Sequence, residues 1–158
     1  MGLTLYHERM ETMETILITC ETFKKRIADL CLKSGLTGFP TKRRDQMILL
    51  KSIAISFNEN KTYTEAEVNQ IIKGWLTRMS GFFDWDHFML RRVLVDEGFL
   101  TRNQDGSCYR LSPSGSLASG VTFDPEINGL DVLEIISEAQ QLIAQRKAEY
   151  LQNHTEPV

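Results

Sequence analysis

Residues 90–111 read LRRVLVDEGFLTRNQDGSCYRL and hold four arginines: Arg91 and Arg92 in a charged helical run, Arg102 and Arg110 in two short strand-like runs after a glycine. A guanidinium on an exposed helix can bond guanine edges in a major groove, and one on a hairpin can meet phosphate oxygens. Turning Met89, Leu90, Val93 and Leu94 toward a core turns Phe88, Arg91, Arg92 and Val95 outward, with His87 at the head of the run as a further candidate contact. The plainer reading competes. Asp96 can pair with Arg92 at i, i+4, Glu97 adds negative charge, and Arg102 and Arg110 are also ordinary strand-edge cations.

A second cationic group, Lys42, Arg43 and Arg44, opens another helical run. Cations at a helix start oppose its dipole by about 0.3–1 kcal/mol each, and Asp45 relieves only part of that. These three are candidate phosphate contacts; the alternative is a solvated helix start. The aromatic group Phe82, Phe83, Trp85 and Phe88 suits either base stacking or a core between two helices. No nucleophile stands in a pattern with a base, and no Gly-rich phosphate loop or HExxH pair occurs, so the chain reads as a non-enzyme without cofactor. Cys20, Cys31 and Cys108 share no metal-like spacing and His7, His87 and His154 lie far apart, which argues against a zinc site or a disulfide framework. On one helix Cys20 and Cys31 would stand about 16 Å apart, too far to pair.

The elements that must position these groups follow from periodicity. Ile16, Cys20, Phe23, Ile27 and Leu30 step by 4-3-4-3, and Tyr6, Met10, Met13 and Leu17 extend the stripe upstream, which predicts one long helix ending near Ser34-Gly35. Pro40 opens a segment whose Met47, Leu50, Ala54 and Phe57 keep the helical spacing, while Ile48, Leu49, Ile53 and Ile55 widen it. A helix that apolar over 41–57 needs partners on more than one side. After the polar turn NENK, Thr64 and Glu67 form a capping box behind Tyr63, and Val68, Ile71, Ile72, Trp75 and Met79 make the inner face of a helix ended by Ser80-Gly81. The next helix, over 84–97, is capped by Asp84 or Asp86 and stopped by Gly98. Residues 99–111 predict a hairpin hinged on Asp105-Gly106. SPSGSLASG reads as a surface linker. Residues 129–151 return to helix, with Val132, Ile136, Ala139 and Ile143 on one side, and QNHTEPV reads as a frayed tail.

At 158 residues and 42% hydrophobic content, the chain is large enough for one domain with a true core. No apolar run reaches the roughly 20 residues that span a bilayer, and the N-terminus is charged too early for a secretory signal, so a cytoplasmic location is expected. The net charge of −3 argues against indiscriminate coating of nucleic acid. Its distribution is uneven: residues 40–111 carry a small basic excess, and residues 112–158 are strongly acidic.

The stretches FPTKRRDQMILLKSIAISF, YTEAEVNQII and LRRVLVDEGFLTRNQDGSCYRL resemble the family catalogued as domain of unknown function 2087, over residues 39–111. The resemblance implies a small winged-helix module of a kind sometimes joined to helix-turn-helix domains of bacterial regulators. Two departures stand out: a longer, more aromatic link before the 84–97 helix, and a first arm that is not an evident second DNA-binding domain. The expected fold is mainly α with a small β-hairpin: a winged helix-turn-helix core (39–111) between an N-terminal helical arm (1–38) and a linker with a C-terminal helical arm (112–158). The expected function is a DNA-binding transcriptional regulator, dimeric through its arms, with duplex DNA contacted by Lys42, Arg43, Arg44, His87, Arg91, Arg92, Arg102 and Arg110. The alternative is a non-enzymatic adaptor that uses the same fold to bind a protein.

Overall fold

The computed structural model describes residues 15–33, 38–79, 85–112 and 120–154. Among them the chain is mainly helical with two small sheets. In order it forms β1 (Ile16–Ile18), α1 (Cys20–Leu32), α2 (Arg43–Ala54), β2 (Thr62–Tyr63), α3 (Glu65–Arg78), α4 (His87–Asp96), β3 (Leu100–Arg102), β4 (Tyr109–Leu111), β5 (Val121–Phe123), a 3-10 turn (Pro125–Gly129) and α5 (Val132–His154).

α2 is the central post. Met47, Ile48, Leu49, Leu50 and Ile53 are all fully buried, on more than one side of the helix, as its broad apolar circumference requires. Around it pack Phe23 and Ile27 of α1, Val68, Ile72 and Trp75 of α3, Leu90 and Leu94 of α4, and Phe99, Leu100 and Tyr109 of the hairpin. The capping box at the head of α3 is present in full: Glu67 N–H donates to Thr64 Oγ1 at 3.2 Å, and Thr64 N–H donates to Glu67 Oε1 at 3.1 Å. Those bonds hold the Glu67 carboxyl below its usual range. Asp86, the second of the two expected caps, accepts from Phe88 N–H and starts α4. Gly98 ends the helix at φ 81° and Gly106 turns the hairpin at φ 74°, both left-handed conformations that glycine adopts at little cost.

Three expectations change. The long N-terminal helix does not begin at or before Ile16: Ile16–Ile18 is a strand, and the helix starts at Cys20 behind a Thr19 cap. Ile16, Leu17 and Ile18 pair in parallel with Val121, Thr122 and Phe123, a strand that follows the expected linker. A short apolar run has the same pattern in helix and strand, and here a partner more than a hundred residues away decides it. The Tyr6–Met13 part of the stripe lies outside the described residues, as do Ser34-Gly35, Ser80-Gly81 and residues 113–119. Second, the hairpin gains a third strand. β2 lies antiparallel to β4, giving the order β2-β4-β3 with Tyr63 opposite Tyr109. Tyr63 is drawn in by its ring, edge-on to Phe57 at 5.1 Å, and its hydroxyl accepts from Asn58 N–H at 2.7 Å, which closes the NENK turn. Third, the last helix runs on through His154 instead of fraying at Gln152.

The two arms meet the core differently. α1 is tied to α2 by a bidentate pair in which Arg26 donates to both carboxylate oxygens of the buried Asp45, at 3.1 and 3.0 Å. α5 packs on α1 through Val132, Ile135 and Ile136, but every residue from 140 to 154 is exposed, including Leu142, Ile143, Tyr150 and Leu151. That overhang is about 20 Å long at the helical rise.

Candidate nucleic-acid interface

The eight candidate contacts fall into three groups. On α4, the sequence turns both Arg91 and Arg92 outward, and the structure separates them. Arg91 leans onto α3: its guanidinium donates to Asn69 Oδ1 at 2.5 Å, lies 3.0 Å from Glu65 Oε1, and sits over the Phe88 ring. Its side chain is only 18% exposed. Arg91 therefore braces α3 against α4, because the first two turns of α3 bring Glu65 and Asn69 within its reach. Arg92 points away with its side chain 85% exposed, and among the described residues its one ion pair is a loose 3.8 Å approach to Asp96. One turn before it, Phe88 is 54% exposed. The outer face of α4 is thus Phe88, Arg92 and Asp96: one aromatic ring, one cation and one anion. His87 is half-buried at the start of the helix, its ring tilted about 35° against Phe88 with centroids 4.0 Å apart.

On α2, the three cations also divide. Arg43 reaches across to the end of α4 and donates to both oxygens of Glu97, one bond being 2.7 Å long. The hydrogen bonds to Glu97 hold its protonated form still more firmly than usual. The pair joins the first turn of α2 to the last turn of α4 and removes Arg43 from the set of free phosphate contacts. Lys42 and Arg44, either side of it, are exposed and form no ion pair among the described residues. On the hairpin, Arg102 and Arg110 are exposed as well, and neither has an acidic partner within 4 Å among the described residues. Arg102 is aligned with Tyr109, and its guanidinium curls over the Gly106 turn, where an added Cβ would sit 3.4 Å away. Arg110 lies in the middle strand between Thr62 and Thr101, on the sheet's outer face.

The structure therefore leaves five cations available to an anion on this part of the molecule, Lys42, Arg44, Arg92, Arg102 and Arg110, and engages Arg43 and Arg91 in helix bracing. The aromatic group divides too. Trp85 packs edge-on against Phe39 at 5.5 Å as part of the core rim, Phe88 is exposed, and Phe82 and Phe83 lie outside the described residues. Sequence reasoning did not find the partners of the braces, Asn69, Glu65 and Glu97 in these roles, because a helical wheel gives a side chain's direction but not what the neighbouring helix offers it.

Among the described residues no group of three His, Cys, Asp or Glu side chains could hold a metal ion, and all three cysteines are free thiols. Burial pushes the Cys31 thiol up to about 12, far from a reactive thiolate. Among the described residues no helix is long and apolar enough to cross a membrane.

All eight candidates fall inside one family match. Residues 35–111 match the DUF2087 family model, described as an uncharacterized protein conserved in bacteria. The match supports the resemblance carried by the three sequence stretches and starts four residues before the expected boundary at 39. No curated protein and no solved structure matches the chain. The matched segment takes in α2 through β4, the helices and hairpin that carry every candidate cation, and leaves α1 and α5 outside it.

Proposed function

We propose that the DUF2087 segment is a winged helix-turn-helix module of a bacterial transcriptional regulator that binds duplex DNA as a dimer. The order helix, strand, helix, helix, hairpin, with the lone strand β2 zipped onto the hairpin, supports the winged-helix reading. The observation that carries the DNA reading is the outward stance of Arg92 on α4, braced from behind by Arg91, in a segment whose hairpin and α2 start also carry exposed cations. In this arrangement α4 enters the major groove, Arg92 bonds a base edge, Phe88 meets a thymine methyl, and Lys42, Arg44 and Arg102 meet phosphates. The helix is held rigid by Arg91 and by the Arg43–Glu97 pair, which lowers the ordering cost of docking. The dimer reading rests on the α5 overhang, whose exposed Leu142, Ile143 and Tyr150 continue the stripe of the buried Val132 and Ile136 and the half-buried Ala139.

A second reading has its own observation. The α4 face balances Arg92 against Asp96, and exposed Phe88 is an anchor of the kind that fills a pocket on a protein partner. On that reading the module is an adaptor. The two are separated by fluorescence anisotropy with mixed duplex DNA at low and moderate salt. The DNA reading expects salt-sensitive binding that Arg92→Ala weakens; salt-insensitive behaviour with no binding favours the adaptor.

A further inference from the structure

On the other side of the hairpin from its core-facing tyrosines, the end of α2, the outer face of the β2-β4-β3 sheet and the β5 segment enclose a cleft of about 860 Å³. That size lies within the range of small-molecule sites. Its apolar wall is the partly exposed Ile55, Leu111 and Phe123, backed by the buried Phe57 and Phe99, and two cations line it, Lys51 and Arg110. Lys51 is half-buried, and its partners are neutral: Nζ donates to Asn128 Oδ1 at 2.8 Å and lies 5.4 Å from the centre of the Phe123 ring. Among the described residues no carboxylate comes within 4 Å of it. Burial lowers its pKa, the mark of an ammonium group whose lost hydration has not been replaced by a counter-charge. Arg110, across the cleft on β4, also has no acidic partner among the described residues, while Glu59 is an exposed anion at the rim.

We propose that this cleft is a binding site for a small carboxylate with an apolar body, the carboxylate lying between Lys51 and Arg110 and the body against Ile55, Leu111 and Phe123. The carboxylate supplies a counter-charge that no described residue gives Lys51, and the apolar body covers the partly exposed Ile55, Leu111 and Phe123. The site joins β4 of the DUF2087 segment to β5 and the 3-10 turn of the C-terminal arm, so an occupant links hairpin and arm. This inference does not depend on DNA binding and is tested without DNA.

The test uses the full chain and three probes of equal chain length: hexanoate, 1-hexanol and hexylammonium, titrated into the ¹⁵N-labelled protein and followed by amide shifts and by melting temperature. Hexanoate is expected to shift amides of Lys51, Phe99, Arg110 and Asn128 together and to raise the melting temperature, with hexanol at least about tenfold weaker and hexylammonium inactive. Lys51→Met is expected to lose about tenfold or more in hexanoate affinity. Because Lys51 also ties α2 to Asn128, the exposed Arg110→Gln is the second variant, expected to keep the melting temperature of the free protein and to weaken hexanoate binding. Equal binding of hexanol and hexanoate, shifts scattered away from the cleft, or unchanged affinity in both variants would overturn the proposal.

Discussion

Arg91 and Asn69 are joined by a 2.5 Å hydrogen bond between the third and fourth helices, and that bond makes the two neighbouring arginines of α4 different residues. Arg91 holds the helix in place, and Arg92 is what the helix presents. Arg91→Ala is expected to destabilise the fold by about 1–2 kcal/mol, since the lost partner includes a charge-assisted bond at a partly buried site. Arg92→Ala is expected to leave stability unchanged to within about 0.5 kcal/mol, as for a surface substitution. Urea midpoints at constant slope check both. A reversed order would mean that the braced and exposed arginines have been exchanged.

The Arg26–Asp45 pair ties the N-terminal arm to the central helix, and Asp45 is only 5% exposed. Arg26→Ala leaves a buried carboxylate unpaired and is expected to cost about 2–4 kcal/mol, a range that allows for the partial exposure of Arg26. Arg26→Ala with Asp45→Asn removes the stranded charge and is expected to recover part of that loss. Denaturant unfolding of the two single variants and the double variant measures the coupling.

The capping box gives a pH signature. Glu67 has its folded pKa depressed below 4.5, chiefly by the Thr64 hydrogen bonds, so its contribution is full above that value and is lost as pH falls through the lower folded value. Wild type is therefore expected to exceed Glu67→Gln in melting temperature at neutral pH, with the gap closing on acidification below the ordinary carboxyl range. Thr64→Ala removes the cap itself and is expected to cost about 1 kcal/mol. A gap that widens in acid would contradict the assignment.

Much of this site could be read in advance where the information is local. Thr64 with Glu67, Asp86 before Phe88, Gly98, and the Asp105-Gly106 turn each carry their instruction within four residues, and each forms as expected. The breadth of apolar residues on α2 likewise foretells its central place. What sequence did not disclose depends on distant partners. Ile16–Ile18 becomes a strand only because Val121–Phe123 lies beside it, and the two-residue strand Thr62–Tyr63 exists only because β4 offers an edge. The division of Arg91 from Arg92, and of Arg43 from Lys42 and Arg44, depends on carboxylates supplied by other helices. Charge counts along the chain treat these residues alike; geometry does not.

The α5 overhang makes a prediction about assembly. An isolated helix of this length is marginal in water, and its exposed Leu142, Ile143, Tyr150 and Leu151 call for cover. The full chain is expected to scatter light as a dimer at micromolar concentration. A chain ending at Gln140 keeps the buried Val132, Ile135 and Ile136 and is expected to be a folded monomer. An 18.1 kDa particle from the full chain would remove the dimer and the paired half-sites with it.

The central claim is that α4 and its surrounding free cations address DNA, and salt dependence tests it most directly. Anisotropy of labelled genomic duplex fragments, titrated with the full chain across a series of salt concentrations, is expected to show affinity falling linearly on a log–log plot. Lys42→Ala and Arg44→Ala each flatten the slope by about one, and Arg92→Ala narrows the difference between strong and weak sequences, by about 1–3 kcal/mol for a lost base contact. Absence of salt-sensitive binding at low ionic strength, in a protein that is folded and dimeric, would contradict the account and leave the adaptor reading in its place.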